Sequence, residues 1–408
     1  MKILFISRRF YPDIKGGGQI SAFYLAKTLK EKGHEIIVCT FHEQETIKEI
    51  IDGITIYRIK ISTLKILSKI SNLDYMYIQM AKLSSKIIQE TNPDIIHLLN
   101  FESIPLSSIY YKKKFKKPIF ATVNGPNFGC FTQNAIDYKN NTCLNCKASK
   151  RFLCSIHKWK LNGVFYYIYS LYYMNMLRLS YRYVDRFLII SNAMKPLLIN
   201  MGIDEKRIIL VNNLLGKKLN VDKKELEKIK KNHKGKIIFC AGRLTENKGI
   251  QYIIRAMEYI KATLLIAGWG DYENELKKIA EKVKNKIVFL GKINYENLGT
   301  YYKACDIFAH FPTYYEPFGR TLIEAMSFGK PVVAYPIAGI KDIVINKYNG
   351  LLVESREPKI IAENINKLLK DKNLYKKFSI NAKKTVDEKF SNEIIANNYI
   401  NAYKTILK

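Results

Sequence analysis

"EPFGRTLIEAMSFGKPVVAY", Glu316 to Tyr335, sets the reading of the second half of the chain. A helix-forming run from about Gly319 to Phe328 ends at Gly329, and "KPVVAY" resumes at once as an apolar strand. Pro317 suits the entry of that helix, where a missing N–H costs little. Upstream, "DIFAHF" is another short apolar run. Strand, loop, helix, strand is the βαβ unit of a parallel sheet. The same stretch sets two carboxylates, Glu316 and Glu324, eight positions apart in a chain with a formal net charge of +31.

The pattern repeats outward in both directions. "KILFIS", "EIIVCT", "DIIHLL", "PIFATV" and "RFLIIS" precede a break, and "KIIFCAG", "TLLIAG", "KIVFLG", "DIFAHF" and "PVVAY" follow it. These runs do not alternate apolar and polar residues, as strands covered on both faces by helices do not. The break, Gly216 to Lys236, is Lys-rich and poor in apolar residues. A chain of 408 residues is also long for one core. The expectation is an α/β protein of two doubly wound, Rossmann-like domains facing a cleft. Residues 1–216 form the first and 217–390 the second, with the helix of 391–408 returning to the first. Ligands would lie at the carboxyl ends of the strands.

Composition narrows the class. With 48% hydrophobic and 25% charged residues the chain is globular. Its positive charge fits a general bias toward lysine as well as attraction to polyanions, and charge alone does not choose. No run of about 20 apolar residues offers a bilayer span. No secretory signal is visible, and seven cysteines are an odd number for a disulfide scaffold. A cytoplasmic protein is expected.

The two carboxylates suit an elongated ligand. If both were helical they would stand about 12 Å apart, beyond the roughly 5–9.5 Å of a glycosidase pair. Between them, the backbone N–H groups of Phe318, Gly319 and Arg320 at a helix start offer an anion site. Hydroxyls, anion, hydroxyls is the order of a sugar nucleotide. In "AGRLTENKGI", Arg243 and Lys248 lie in the loop after a strand, where two cations can hold a diphosphate. "GGGQ" (Gly16, Gly17, Gly18, Gln19) joins the first strand to its helix and can bring backbone N–H groups to a phosphate or sugar. No P-loop spacing occurs. No D-x-D occurs either, so the obvious clamp for a divalent metal is missing.

These motifs resemble the large retaining glycosyltransferase family 4, also called glycosyltransferase group 1, of GT-B fold. The E-x7-E signature is matched by Glu316 and Glu324. The likeness extends over most of the chain through "GRLTENKG", "IAGWGDYENEL", "VFLGKI", "YNGLLV", "YPDIKGGG" and "NPDIIHLLN". The resemblance implies a retaining hexosyltransferase needing no cofactor beyond its nucleotide-sugar donor, with a glycan or lipid-linked acceptor. It implies that Glu324 binds ribose hydroxyls, Glu316 the donor sugar, and Arg243 and Lys248 the diphosphate. Backbone around Lys292 and Ile293 would meet the base, and Gly16 to Gly18 would border diphosphate and acceptor. The first domain would then bind acceptor and the second donor. Two departures stand out. Asn124 in "ATVNGPN" replaces the family's usual His, and Asp342 in "AGIKDIV" replaces its usual acid.

Three features stand outside this assignment. Cys130, Cys143, Cys146 and Cys154 form C-x12-C-x2-C-x7-C, compatible with a structural zinc, with free thiols and with disulfides. Leu161 to Leu177 is uncharged and Tyr-rich between basic flanks, as an anionic membrane interface or a buried helix would be. An interface would make the protein peripheral on the inner face of the cell membrane. His97 reads as a core histidine. Rival readings are a GT-B nucleotide-sugar epimerase and a non-enzymatic polyanion binder; no aromatic and basic motif for specific nucleic-acid recognition is found.

Overall fold

The computed structural model describes residues 1–13, 16–42, 45–61, 69–100, 103–139, 141–217 and 219–407, with backbone only for 69–74. It divides into two units: Met1–Gly216 with Asn392–Lys408, and Lys217–Ser391.

The first unit holds β1 (Lys2–Ser7), β2 (Glu35–His42), β3 (Ile47–Ile51), β4 (Ile54–Lys60), β5 (Ile95–Leu98), β6 (Ile119–Val123), β7 (Arg186–Ile189) and β8 (Ile208–Leu210). Their order across the sheet is β3-β4-β2-β1-β5-β6-β7-β8. β1, β5 and β6 are buried almost throughout because helices cover both faces. Every pairing is parallel except β3 with β4.

The antiparallel edge strand β3 adds to the expected parallel sheet. Asp52 (φ 48°) and Gly53 (φ 69°) turn the chain between Ile51 and Ile54, which pair directly. Two left-handed residues in a two-residue loop match the right-handed twist of the strands, and Asp-Gly is the preferred pair for it.

The second unit holds β9 (Ile237–Ala241), β10 (Thr263–Ala267), β11 (Ile287–Gly291), β12 (Ile307–His310), β13 (Val332–Ala334) and β14 (Gly350–Leu352). The order is β11-β10-β9-β12-β13-β14, all parallel. In both sheets the strand order reverses beside the first strand, between β1 and β5 and between β9 and β12. Such switch points open a crevice at the carboxyl ends of the two strands.

The Lys-rich segment after Gly216 is not a bare linker. Lys223–Asn232 is a helix, capped where the Asp222 carboxylate accepts the Glu225 N–H at 3.1 Å. At the other end of the chain, the helix Asn392–Lys404 belongs to the first unit. Its Tyr399 and Tyr403 join Phe5 and Phe120 in the core, with the Tyr403 and Phe120 rings 5.0 Å apart.

Between β6 and β7 lie the helices Ala148–Trp159 and Gly163–Tyr181, packed on one another. The stretch Leu161 to Leu177 has a buried side and an exposed one. Tyr173, Met174, Met176 and Leu177 are buried, while Leu161, Val164, Phe165, Ile168 and Tyr172 are exposed. The 3.6-residue period puts residues three or four apart on one face and those between them on the other. Among the described residues, no helix is long and apolar enough to cross a membrane.

Candidate active site

Glu316 leaves the carboxyl end of β12, and Lys248 lies in the loop that leaves the carboxyl end of its neighbour β9. The loops are held together by backbone: the Thr313 N–H donates to the Asn247 carbonyl at 2.9 Å. Gly249, at φ 71°, permits the approach, since a Cβ there would fall 1.7 Å from the Phe311 carbonyl oxygen. Gly339 fixes the far side by donating its N–H to the Glu316 carbonyl at 2.9 Å.

This frame sets Lys248 Nζ 3.1 Å from Glu316 Oε2 and 2.6 Å from the Tyr314 hydroxyl. Tyr314 also donates to Glu316. His310 Nε2 stands 3.4 Å from Glu316 Oε2, too oblique for a good hydrogen bond. Burial alone would raise the Glu316 pKa. The Lys248 ammonium, with His310 and the Tyr314 hydroxyl, outweighs it and holds the carboxyl well below the ordinary range. The outcome is a buried, ionised acceptor. A small cavity beside it is lined by Gly242, Lys248, Gly249, Ala309, His310 and Phe311.

Glu324 lies in the helix Arg320–Ser327, one residue shorter at each end than expected. Gly319 (φ 97°) precedes the helix, so Pro317 stands three residues outside its first turn rather than at its entry. Glu324 is buried under its own set of donors. Arg320 Nε reaches Oε1 at 2.9 Å, the Tyr295 hydroxyl reaches Oε1 at 3.1 Å, and the Tyr302 hydroxyl reaches Oε2 at 2.9 Å. Arg320 also donates to the Tyr295 oxygen at 2.7 Å. Burial pushes Tyr295 and Tyr302 above the ordinary phenol pKa, and the Glu324 charge adds to it, so both remain donors.

The other expected positions separate into groups. Arg243 and Lys292 flank the half-exposed Trp269, the guanidinium carbon 5.5 Å and the ammonium 5.8 Å from its ring. Ile293 follows Lys292 directly after β11. Lys248 is engaged by Glu316 rather than standing beside Arg243 as a second open cation. The Phe318 side chain is buried against Phe390, so only its backbone is available to a ligand. In the first unit, Gly16 is extended, and Gly17 and Gly18 belong to the helix Gly17–Glu31 rather than to a loop. A Cβ on Gly18 would lie 3.6 Å from Asn124 Nδ2, so the glycines and Asn124 meet at the β1/β5 switch. His97 is a core residue, bonded to Tyr403 Oη at 2.7 Å and to Thr122 Oγ1 at 2.8 Å.

Sequence reading missed Tyr295, Tyr302, Tyr314 and the aim of His310. "TYYEPFG" sets Tyr314 two residues before Glu316, a local signal; Tyr295 and Tyr302 lie 29 and 22 residues from Glu324 and carry none.

Comparison with known proteins agrees with this architecture. The model of "Glycosyltransferase Family 4" matches residues 15–215, and that of "Glycosyl transferases group 1" matches residues 221–385. An uncharacterized glycosyltransferase of Methanocaldococcus jannaschii is 29% identical, over 100% of this chain and 99% of its own. The Campylobacter jejuni N,N'-diacetylbacillosaminyl-diphospho-undecaprenol alpha-1,3-N-acetylgalactosaminyltransferase is 25% identical, over 61% of this chain and 67% of its own. The structure of Anabaena HepE in complex with UDP-glucose superposes with a TM-score of 0.70 over 100% of both chains at 19% identity, a likeness of fold. With two family models covering the two sheets in turn, the chain belongs to the group 1, family 4 glycosyltransferases of GT-B fold.

Proposed function

We propose that this glycosyltransferase moves a hexosyl group from a nucleotide sugar to a glycan or lipid-linked acceptor, with retention of configuration and without a catalytic metal. The observation that carries the reading is the Lys248–Glu316 pair at the switch point between β9 and β12. A buried ionised carboxylate accepts hydrogen bonds from sugar hydroxyls, and the ammonium beside it turns toward phosphate oxygens. Arg243, exposed near Trp269, adds a second cation. As the bond from the anomeric carbon to the diphosphate breaks, the acceptor oxygen bonds the same face, and its proton passes to the leaving phosphate. Positive charge fixed beside that phosphate stabilises the transition state. Glu324 receives the ribose hydroxyls once they displace Tyr295. Backbone near Phe318, Gly319, Lys292 and Ile293 meets phosphate and base, while Gly16 to Gly18 and Asn124 border the acceptor.

The relatives' names favour these substrate classes: one carries a diphospho-undecaprenol substrate, and the neighbour of like fold was solved with UDP-glucose. A membrane-bound acceptor also suits the exposed stripe Leu161, Val164, Phe165, Ile168 and Tyr172, flanked by Lys158, Lys160, Arg178 and Arg182. The protein then works peripherally on the anionic inner face of the cell membrane.

The test has two stages. Nucleotide sugars and nucleoside diphosphates are screened by thermal stabilisation. The best donor is then incubated with glycan and lipid-linked acceptors in EDTA, and the product anomer is assigned by NMR. Inversion, isomerised free donor, or activity restored only by added divalent metal overturns the reading.

A further inference from the structure

Four of the seven cysteines lie in the segment between β6 and β7 of the first unit. Cys130 follows the turn Pro126–Phe128, Cys143 and Cys146 lie in the irregular segment before the helix Ala148–Trp159, and Cys154 is in that helix. All four line one small cavity together with Lys150 and Arg151. No disulfide links them.

The charges around that cavity do not balance. Arg151 is 7% exposed, and its Nε has no hydrogen-bond partner. Its Nη1 reaches only the Ser170 carbonyl, at 3.4 Å. Among the described residues no carboxylate pairs with it. A buried cation without a counter-charge is expensive, and four neutral thiols or two disulfides do nothing to offset it. A cation faces one of the sulfurs: Lys150 Nζ is 3.9 Å from Cys143 Sγ. A cation turned toward sulfur suits a thiolate that carries charge.

We propose that Cys130, Cys143, Cys146 and Cys154 bind one structural zinc ion. Four thiols lose four protons and a divalent ion enters, leaving a tetrathiolate of net charge −2 against Arg151 and Lys150. That charge is the missing partner of Arg151. An all-sulfur tetrahedral set suits zinc, with Zn–S distances of about 2.3 Å. Among the described residues no three such ligands already stand at ligating spacing, so the ion draws the side chains inward as it binds. The staple joins the segment after Cys130 to the helix Ala148–Trp159. There the Phe131 ring already meets Trp159 at 5.5 Å and Tyr173 at 6.2 Å. The zinc is thus a support for the helix pair that carries the exposed apolar stripe, and it takes no part in sugar transfer.

The full chain, purified in reducing buffer without added metal, is assayed by plasma mass spectrometry. Zinc released on thiol modification is titrated with a metallochromic dye. A single zinc per chain is expected, lost in both Cys146→Ser and Cys154→Ser. Cobalt exchange should give intense thiolate-to-metal absorption. Should the variants fail to fold, the wild type decides: a strong chelator must lower Tm by several degrees, with recovery on adding zinc. Absence of zinc, its retention in both variants, an iron–sulfur chromophore, or loss of the four free thiols to disulfides overturns the assignment.

Discussion

Lys248 Nζ lies 3.1 Å from Glu316 Oε2 across 68 residues of chain. Neither side chain has the exposure of an ordinary surface pair, at 26% and 11%. The contact exists because β9 and β12 are neighbours in the sheet and Gly249 lets their loops touch.

Breaking this pair from one side should therefore cost more than removing it whole. Lys248→Met leaves a buried carboxylate and is expected to destabilise the second unit by about 3 kcal/mol. Glu316→Leu strands the ammonium, which is nearer solvent, and should cost less. The double variant should be more stable than the sum of the two losses, as urea denaturation of all four proteins will show. Strict additivity would mean that the two groups do not interact.

Glu324 is expected to govern nucleotide affinity. Glu324→Gln keeps the volume but removes the charge and should weaken binding of the best nucleoside diphosphate by roughly tenfold or more, the worth of a hydrogen bond to a charged group. Tyr295→Phe removes a donor that competes with ribose and should leave affinity equal or higher. Calorimetric titration checks both. Equal affinity for wild type and Glu324→Gln would leave Glu324 as a structural partner of Arg320.

His97 should give the protein an acid limit. Burial holds its imidazole neutral, with the pKa pushed down to about 3 from an ordinary 6.5. Between those values the unfolded chain binds the extra proton, so stability rises with pH across that window, by up to about 1.4 kcal/mol per pH unit, and is lost on acidification. His97→Gln can still bond Tyr403 and cannot titrate. Its stability should be lower at pH 7 and flatter between pH 4 and 6 in denaturant titrations. Identical slopes for both proteins would assign the acid limit to other groups.

The apolar stripe should respond to substitution without loss of fold, because Phe165 and Ile168 are 56% and 60% exposed. Changing both to Ser is expected to alter stability by about 1 kcal/mol at most. It should reduce co-sedimentation with anionic vesicles at low salt. Tyr173→Ser, at a buried position, should instead destabilise the helix pair. Equal sedimentation of wild type and the Phe165, Ile168 double variant would remove the stripe from any membrane contact.

How far the sequence carries depends on the range of the signal. Ten strands were legible because a strand covered on both faces is a continuous apolar run. The helix from Arg320 to Ser327 was legible from its glycine boundaries. The Asp52-Gly53 hairpin had a local signal that the apolar runs overshadowed. β8 and β14, three residues each, were not read as strands, and the outer residues of β8 are only partly covered.

By itself the sequence determined two series of βαβ units, the break after Gly216, the presence of Glu316, Arg243 and Lys248 in loops, and that of Glu324 within a helix. Such features depend on neighbours within a few residues. Tertiary structure alone decided which groups those charges meet. Strand order brought Lys248 to Glu316, and helix packing put Tyr302 over Glu324. The return of the last helix gave His97 the Tyr403 hydroxyl, 306 residues away. Packing around the helix Gly163–Tyr181 divided one Tyr-rich stretch into Tyr172 outside and Tyr173 inside. A burial preference is written locally in side-chain chemistry, but a partner is chosen only when the sheet order sets which carboxyl ends stand side by side.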